Sequence, residues 1–195
     1  MSLHKYHPKS PVLILVMGVA GSGKSTLAAE ILRRVCAVYL DNNHIADAFF
    51  PNTRRGRRYE RVRPALYKAL YTIAAENLAR GSSVLLDVPH IKEVQIAKWR
   101  DFITKLARKN NASLIVLRCS CSGETLRMRL TSRKEARDKW KLNHWQEFLA
   151  EQPVRASIPF PHMSINTENS LTMNTKHAVQ YIKHRTRPME GKHER

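Results

Sequence analysis

The feature that most constrains this chain is a glycine-rich segment at residues 18–25, which reads GVAGSGKS and is followed by Thr26. The segment matches the pattern G-x-x-x-x-G-K-S of a phosphate-binding loop, or P-loop. Three of its glycines, Gly18, Gly21 and Gly23, permit backbone conformations in which successive N–H groups turn toward one phosphate. The segment therefore predicts a site for a phosphorylated ligand.

The remaining residues of the loop supply the chemistry expected of such a site. Lys24 can reach the β- and γ-phosphate oxygens of ATP, and the hydroxyl of Ser25 can coordinate Mg²⁺. Ser22 and Thr26 complete the predicted phosphate-binding set. The helix that begins near Lys24 adds its positive N-terminal end to the same pocket. We therefore expect ATP and Mg²⁺ as cofactors, with Lys24 acting in catalysis as well as in binding.

The segments on either side of the loop agree with this interpretation. Residues 12–17 (VLILVM) form a continuous apolar run, which is typical of a strand buried on both faces. Residues 26–36 carry apolar side chains at helical spacing. Strand, glycine loop and helix are the setting that a P-loop requires, and the alternative is a glycine-rich turn that binds nothing.

The composition is that of a globular protein with an unusual charge. The 195 residues include 34 Lys and Arg against 16 Asp and Glu, a formal net charge of +18. This excess favours polyanionic partners such as nucleotides or nucleic acid. The alternative is a solvated basic surface without a dedicated polyanionic partner, since ATP binding already accounts for part of the arginine content.

Cysteine content and hydropathy indicate a cytoplasmic protein. Cys36, Cys119 and Cys121 are too few for a disulfide framework, and the spacing of the last two is too short for the usual zinc pairs. They are typical of thiols in a reducing compartment. No apolar run approaches the ~20 residues of a membrane span, and the apolar segment at 12–17 is too short for a signal peptide. We therefore expect no membrane partner.

Two further apolar segments, residues 37–40 and 83–87, predict strands that end in a carboxylate. Ligands of an open parallel sheet sit beyond the C-terminal ends of its strands, where the P-loop also lies. Asp41 could orient or deprotonate the hydroxyl of an acceptor. Asp87 could hold Mg²⁺ through a water molecule or contact the substrate. The alternatives are an N-cap of the following helix for Asp41 and a turn cap for Asp87.

The remaining elements follow the same alternation of strands and helices. Pro64 is expected in the first turn of a long helix, or at a kink in it. The four arginines of the basic loop at 51–58 could bind an anionic substrate, or they could be solvated. Periodicity predicts helices at 59–80, 93–109, 123–131 and 172–184, a strand at 112–119 and a weaker strand at 162–166.

An arginine-bearing segment follows the fourth predicted strand. Residues 132–139 read SRKEARDK, and on a helix Arg133 and Arg137 would share one face. A mobile segment at this place could close over ATP, so that its guanidinium groups stabilise charge on the transferring phosphoryl group. Arg129 is a weaker candidate for this role. The alternative is the end of an ordinary amphipathic helix.

The two most specific segments together resemble those of the small P-loop kinases of the AAA_33 type. Residues 17–26 (MGVAGSGKST) are similar to the P-loop of gluconate kinase, and residues 133–142 (RKEARDKWKL) are similar to the arginine-rich lid of this group. Neighbours of this group are gluconate kinase, chloramphenicol phosphotransferase, zeta toxin and the kinase domain of polynucleotide kinase. The resemblance covers about residues 12–185. It implies transfer of the γ-phosphoryl group of Mg-ATP to a hydroxyl group, with Arg133 and Arg137 closing over the phosphates.

The chain departs from this group after the second strand. The group commonly carries Asp-x-Ile/Leu-Arg there, with the Asp near the acceptor hydroxyl, whereas this chain has Asn43 and Ala46 at the Asp and Arg positions. An asparagine can orient a hydroxyl but cannot accept its proton. Asp41, two residues earlier, is the nearest substitute. Phosphoryl transfer depends mainly on positioning and charge, so the absence of a strong base does not exclude it.

The sequence thus predicts an α/β protein with a three-layer P-loop NTPase fold, a mostly parallel sheet of about five strands and an arginine-bearing lid. A single kinase-like domain is expected over residues 1–185, followed by a charged, disordered tail at 186–195. The predicted activity is that of an ATP-dependent kinase acting on a small metabolite or a 5′-hydroxyl polynucleotide, with an anionic acceptor favoured by the charge. The alternative is a nucleotide-binding regulatory or interaction module that hydrolyses ATP slowly or not at all.

Overall fold

The computed structural model describes residues 4–152 and 157–186. Five strands form one sheet: β1 (Val12–Met17), β2 (Val38–Asp41), β3 (Val84–Val88), β4 (Ser113–Ser120) and β5 (Met163–Asn166). The helices of this part of the chain are α1 (Lys24–Leu32), α2 (Asn42–Phe49), α3 (Arg57–Ala79), α4 (Ala97–Lys109), α5 (Gly123–Ser132), α6 (Lys139–Asn143), α7 (Trp145–Glu151) and α8 (Leu171–Arg185).

The sheet has the order β2-β3-β1-β4-β5, and every pair of neighbouring strands is parallel. β1 lies at its centre, and all six of its residues are buried, as its continuous apolar sequence predicts. Because all five strands run in one direction, their C-terminal ends share one edge. The loop after β1 and the carboxylates that end β2 and β3 therefore meet at that edge.

The two faces of the sheet carry separate apolar layers. Leu13, Leu15 and Met17 of β1 pack toward α3 and α4, and Val12, Ile14 and Val16 pack toward α1 and α8. This alternation follows from the two-residue period of a strand. Helices thus cover both faces, and the predicted three-layer α/β fold with a parallel five-stranded sheet is confirmed.

Two helices differ from their predicted form. α3 begins at Arg57, after Gly56 with a φ of 94°, so Pro64 lies inside the helix, beyond its first turn. Its ring removes one backbone donor without ending the helix, because the rest of α3 is anchored by its buried face. The predicted helix at 93–109 is divided into a 3₁₀ turn, Glu93–Gln95, and α4, with an extended residue, Ile96, between them.

The C-terminal part of the chain is described through Thr186, which ends α8. The predicted charged tail therefore lies outside the described residues from position 187 onward, as do residues 153–156 of the predicted loop after α7. The single domain over residues 1–185 stays a prediction. Within the described ranges, no helix is both long enough and apolar enough to span a membrane.

Candidate active site

The P-loop adopts backbone conformations that explain its glycines. Gly18, Gly21 and Gly23 have φ values of 150°, 83° and 81°. A Cβ at Gly18 would meet the side chain of Ser22 and would lie 2.5 Å from the carbonyl oxygen of Cys119. The N–H of Gly18 also donates to the carbonyl of Pro89 across 3.3 Å. The start of the loop is therefore packed too closely for any side chain.

The loop leads directly into α1, whose first residue is Lys24. The ammonium group of Lys24 donates to the carbonyl of Val19 across 3.1 Å, so the lysine lies folded over its own loop. Ser25 and Thr26 are exposed at the start of the helix, whereas Ser22 is fully buried. The N-terminal end of α1 thus presents N–H groups and hydroxyls to one open surface.

Asp87 lies beside the loop, as its position at the end of β3 predicts. Its Oδ2 accepts a hydrogen bond of 2.5 Å from the hydroxyl of Ser25. Its Oδ1 is buried and has no hydrogen-bond partner within the described part of the chain. Burial raises the pKa of the Asp87 carboxyl, and the neighbouring charge of Asp41 raises it further, although Lys24 opposes both. A bound cation would relieve this cost.

Sequence reasoning missed Tyr39, which links the two strand-end carboxylates. Its hydroxyl lies 3.2 Å from Oδ2 of Asp87 and 3.4 Å from Oδ2 of Asp41. Burial and the charges of the two carboxylates raise the pKa of this phenol, so it remains a donor at neutral pH. The signal in the sequence is its spacing, because residues two apart on a strand share a face.

Asp41 stands directly opposite Asp87 in the register of β2 and β3. It is also the N-cap of α2, since its Oδ1 accepts a hydrogen bond of 2.8 Å from the backbone N–H of Asn43. The side chains of Asn42 and Asn43 line the cleft described below, and Oδ1 of Asn42 is buried without a partner in the described structure. Asp41 itself is buried and is not among the described residues that line this cleft, so its catalytic role stays a prediction.

A cleft of about 780 Å³ extends from the P-loop across the sheet edge to α3 and to residues 133–142, the lid segment. Its described lining is strongly basic. The basic side chains of the lining are Lys24, Arg54, Arg55, Arg63, Arg129, Arg133, Arg137, Lys139 and Lys141, whereas Asp87 and Glu151 are its acidic ones. A cavity with this charge attracts anionic ligands, of which Mg-ATP is one.

The lid segment reaches the cleft by a route that differs from the predicted helix. α5 ends at Ser132, Lys134 has a φ of 52°, and a 3₁₀ turn spans Ala136–Asp138. Arg133 and Arg137 therefore do not share a helical face, although both line the cleft. The prediction of a shared helical face was wrong, because α5 ends at Ser132 and the positive φ of Lys134 does not continue a right-handed helix.

Both lid arginines are held by carboxylates that sequence reasoning did not identify. Arg133 pairs with Asp138, which is fully buried and also pairs with Lys141. Arg137 pairs with Asp47 of α2. These ion pairs place two guanidinium groups at the cleft in fixed positions.

Arg129, the weaker candidate, lies next to the P-loop instead of in the lid. It donates to the hydroxyl and the carbonyl of Thr167, each across 2.9 Å, and its Nη1 lies 3.4 Å from the carbonyl of Gly21. Thr167 in turn packs against Gly23, where a Cβ would lie 3.1 Å from the threonine. Arg129 thus ties α5 and the loop after β5 to the P-loop.

Comparison with known proteins agrees with this geometry. The AAA_33 family, described as an AAA domain, matches residues 13–153, which is more than half of the chain. No curated protein matches the chain.

Solved structures share the fold at low sequence identity. A kinase-like protein from Chloroflexus aurantiacus J-10-fl is 21% identical, with a TM-score of 0.69 over 92% of this chain and 100% of that chain. A sugar kinase from Janibacter sp. HTCC2649 is 14% identical, with a TM-score of 0.66 over 89% and 95%. The APS kinase of Mycobacterium tuberculosis, solved with AMPPNP and APS, is 16% identical, with a TM-score of 0.59 over 90% and 99%. The predicted resemblance to small P-loop kinases is confirmed.

Proposed function

The chain belongs to the AAA_33 family, and from this premise we propose that it is a kinase that transfers the γ-phosphoryl group of Mg-ATP to a hydroxyl group of an acceptor. The observation that carries the proposal is the contact between Ser25 and Asp87 at the rim of the P-loop, with one carboxylate oxygen of Asp87 buried and unpartnered among the described residues. A hydroxyl and a carboxylate at this place are what a nucleotide-bound metal requires.

The donor atoms present fit Mg²⁺. Ser25 and Asp87 would hold it, the first directly and the second directly or through water, and the ion would neutralise charge on the phosphates. No group of three or more His, Cys, Asp or Glu side chains able to hold a metal occurs within residues 4–152 and 157–186. That agrees with Mg²⁺, which protein sites often hold by one or two side chains together with phosphate and water.

The residues of the loop and the lid would bind the phosphates. The N–H groups of Gly21 and Gly23 and the ammonium of Lys24 would contact the β- and γ-phosphates after Lys24 leaves the carbonyl of Val19. Arg133 and Arg137 would approach the γ-phosphate from the lid. Each now contacts a carboxylate, and a guanidinium group has enough donors to keep that contact while it binds a phosphate oxygen.

In the proposed reaction the acceptor oxygen bonds to the γ-phosphorus while the bond from that phosphorus to the bridging oxygen of ATP breaks. ADP leaves, and the hydroxyl proton passes to a carboxylate or to water. Asp41 is the carboxylate proposed to orient the hydroxyl or to accept its proton. Asn43, which lines the cleft, can orient the hydroxyl as well.

A nucleotide-binding module with slow or no ATP hydrolysis is the second candidate. This candidate is favoured by the hydrogen bond that Asp41 makes as the N-cap of α2. One of its carboxylate oxygens accepts the N–H of Asn43 and is therefore not free to act on an acceptor. Under this alternative no side chain at the cleft would act as a base, and the bound nucleotide would serve as a signal for a partner. A cytoplasmic location stays a prediction in both cases.

The test is ATP consumption by the purified protein with Mg²⁺, alone and with sugars, sugar acids, nucleosides, amino alcohols and 5′-hydroxyl oligonucleotides. Strong stimulation by one class supports the kinase. ATP that is bound but barely consumed throughout the panel supports the module instead. Lys24→Ala should weaken ATP binding and abolish turnover, whereas Lys98→Ala, at an exposed position on α4, should change neither. Unchanged ATP affinity of Lys24→Ala would refute both candidates, and stimulated turnover equal to that of the wild type would refute the kinase.

A further inference from the structure

We propose that the acceptor is a small hydroxyl compound that carries a carboxylate or phosphate group, and that Arg63 of α3 binds this anionic group. The inference rests on the proposed kinase function, because it assigns the part of the same cleft that lies away from the P-loop. Three independent features support it: one face of α3, the anchoring of its arginine, and the closure of the cleft above it.

The first feature is the face that α3 turns toward the cleft. Tyr59, Arg63 and Tyr67 are spaced four residues apart and therefore lie in one row on the helix, and all three line the cleft. The guanidinium carbon of Arg63 lies 5.0 Å from the ring centre of Tyr67. A guanidinium group that lies over an aromatic ring offers an anion a cationic contact beside an apolar surface.

The second feature is the anchoring of Arg63 from behind. Its Nη2 pairs with Oε1 of Glu93, and Oε2 of Glu93 lies 3.5 Å from Nδ1 of His90. His90 is buried, and its Nε2 lies 2.5 Å from the hydroxyl of Tyr71. Burial alone would raise the pKa of the Glu93 carboxyl, but His90 and Arg63 hold that pKa well below its usual range. The ionised carboxylate keeps the guanidinium oriented, which reduces the entropy lost when it binds a ligand.

A second guanidinium group in the same part of the cleft has an unused donor. Arg54 pairs with Asp47 through Nη2, while its Nε is buried without a hydrogen-bond partner in the described structure. An unpaired buried donor of this kind is costly unless a ligand satisfies it. Arg54 and Arg63 can therefore both contribute to binding of the anionic group.

The third feature is the closure of the cleft, which favours a small acceptor over a polymer. Arg55 stacks on Trp140 at 3.4 Å from the ring centre and pairs with Glu151. Asp47 joins Arg54 of the basic loop to Arg137 of the lid. Two of the four arginines of the basic loop, Arg54 and Arg55, are thus held at the cleft, whereas Arg57 and Arg58 are exposed. Arginines held in ion pairs around one cleft suit a small anion better than the extended basic groove that a nucleic-acid backbone follows.

The test measures anion binding at the acceptor site while the nucleotide site is occupied. The protein is saturated with Mg-AMPPNP so that the P-loop is filled, and inorganic phosphate is titrated by calorimetry. A parallel titration compares gluconate with sorbitol, which share a carbon chain and hydroxyls but differ in the carboxylate. We expect phosphate or gluconate to bind and sorbitol not to bind, and the anion that binds more tightly identifies the preferred group.

Variants assign the contact to Arg63. Arg63→Gln should weaken anion binding at least tenfold and leave AMPPNP affinity within twofold. Arg80→Gln, at an exposed position at the end of the same helix, should leave both unchanged. Arg63→Lys keeps a positive charge beside Glu93 and should show an intermediate loss of anion affinity. This variant keeps the test valid if Arg63→Gln fails to fold.

Three results would overturn the inference. The first is equal anion affinity in wild type and Arg63→Gln. The second is no anion binding at all while AMPPNP binds normally. The third is productive use of a 5′-hydroxyl oligonucleotide in preference to every small anionic compound. Failure of Mg-AMPPNP itself to bind would instead refute the proposed kinase function, and the inference with it.

Discussion

The hydroxyl of Tyr39 lies 3.2 Å from Oδ2 of Asp87, the same oxygen that accepts the hydrogen bond of Ser25. Two donors on different elements therefore converge on one carboxylate oxygen and leave Oδ1 as the unpartnered one in the described structure. The relationship suggests that Tyr39 orients the carboxylate toward the place where the metal would bind. Tyr39 would be a positioning residue, since it acts through Asp87.

Removal of the Tyr39 hydroxyl should weaken metal binding more than nucleotide binding. Tyr39→Phe deletes one hydrogen bond to a charged group, which corresponds to about 1.5 kcal/mol or roughly a tenfold effect. We expect the affinity for Mn²⁺, used as a paramagnetic substitute for Mg²⁺ in the AMPPNP complex, to fall by about that factor in electron paramagnetic resonance titrations. Tyr181→Phe, on α8, is the control. Unchanged Mn²⁺ affinity would show that the hydroxyl has only a packing role.

Asp41→Asn separates the two roles of Asp41. Asparagine caps a helix about as well as aspartate, so the thermal stability should stay the same, while the negative charge and the base are lost. If Asp41 acts on the acceptor, kcat should fall by about tenfold or more with the ATP affinity unchanged. A kcat equal to that of the wild type would mean that Asp41 serves only as the cap of α2. In that case Asn43→Asp is the variant expected to raise kcat.

The buried His90 should make the stability of the protein depend on pH. Burial lowers the pKa of His90, and the positive charges of Arg63 and Lys24 lower it further, although Glu93 opposes them. The unfolded state then binds the proton more tightly, so stability is full above the unfolded pKa of about 6.5 and falls as the pH drops toward the folded pKa.

The measurement is the melting temperature between pH 8 and pH 5. The wild type should lose stability over this range, and His90→Gln should lose less of it, although its own stability at pH 8 is lower because the packing with Tyr71 changes. His177→Gln, at an exposed position on α8, should follow the wild-type curve. Parallel curves for His90→Gln and the wild type would contradict the assignment.

Gly18 should tolerate substitution less well than a glycine in open space. Gly18→Ala places a Cβ 2.5 Å from the carbonyl oxygen of Cys119, whereas a Cβ at Gly81 meets no atom within 4 Å. Both glycines have positive φ. Gly81→Ala should therefore cost about 1 kcal/mol of unfolding free energy from backbone strain alone. Gly18→Ala should cost more and should also weaken ATP binding, as measured by denaturant unfolding and calorimetry. Equal losses of stability in both variants would contradict the close packing of the P-loop.

Much of the fold could be predicted from local sequence patterns. The apolar run at Val12–Met17 is a fully buried central strand, as its composition indicates. The carboxylates of Asp41 and Asp87 lie at one edge of the sheet because parallel strands end there together. These predictions succeeded because hydrophobic periodicity and glycine placement are properties of short segments.

The lid was predicted less well. Its arginines could be identified from the sequence, but they do not share a helical face, because α5 ends at Ser132 and Lys134 has a positive φ. The ion pairs that these arginines form with Asp138 and Asp47 could not be predicted from the sequence. Whether a charged residue is solvated or buried in an ion pair depends on neighbours that are distant in sequence. Asp47 and Arg137, for example, are 90 positions apart.

The P-loop, the strand before it and the alternation of strands and helices follow from the properties of consecutive residues, so they can be predicted without a structure. Which side chains line the cleft together depends instead on the packing of elements that are distant in sequence. The meeting of Tyr39 with Asp87, and of Arg63 with Glu93, depends on how strands and helices pack. The two contacts join residues that are 48 and 30 positions apart. A sequence pattern within a short segment cannot predict contacts over such separations.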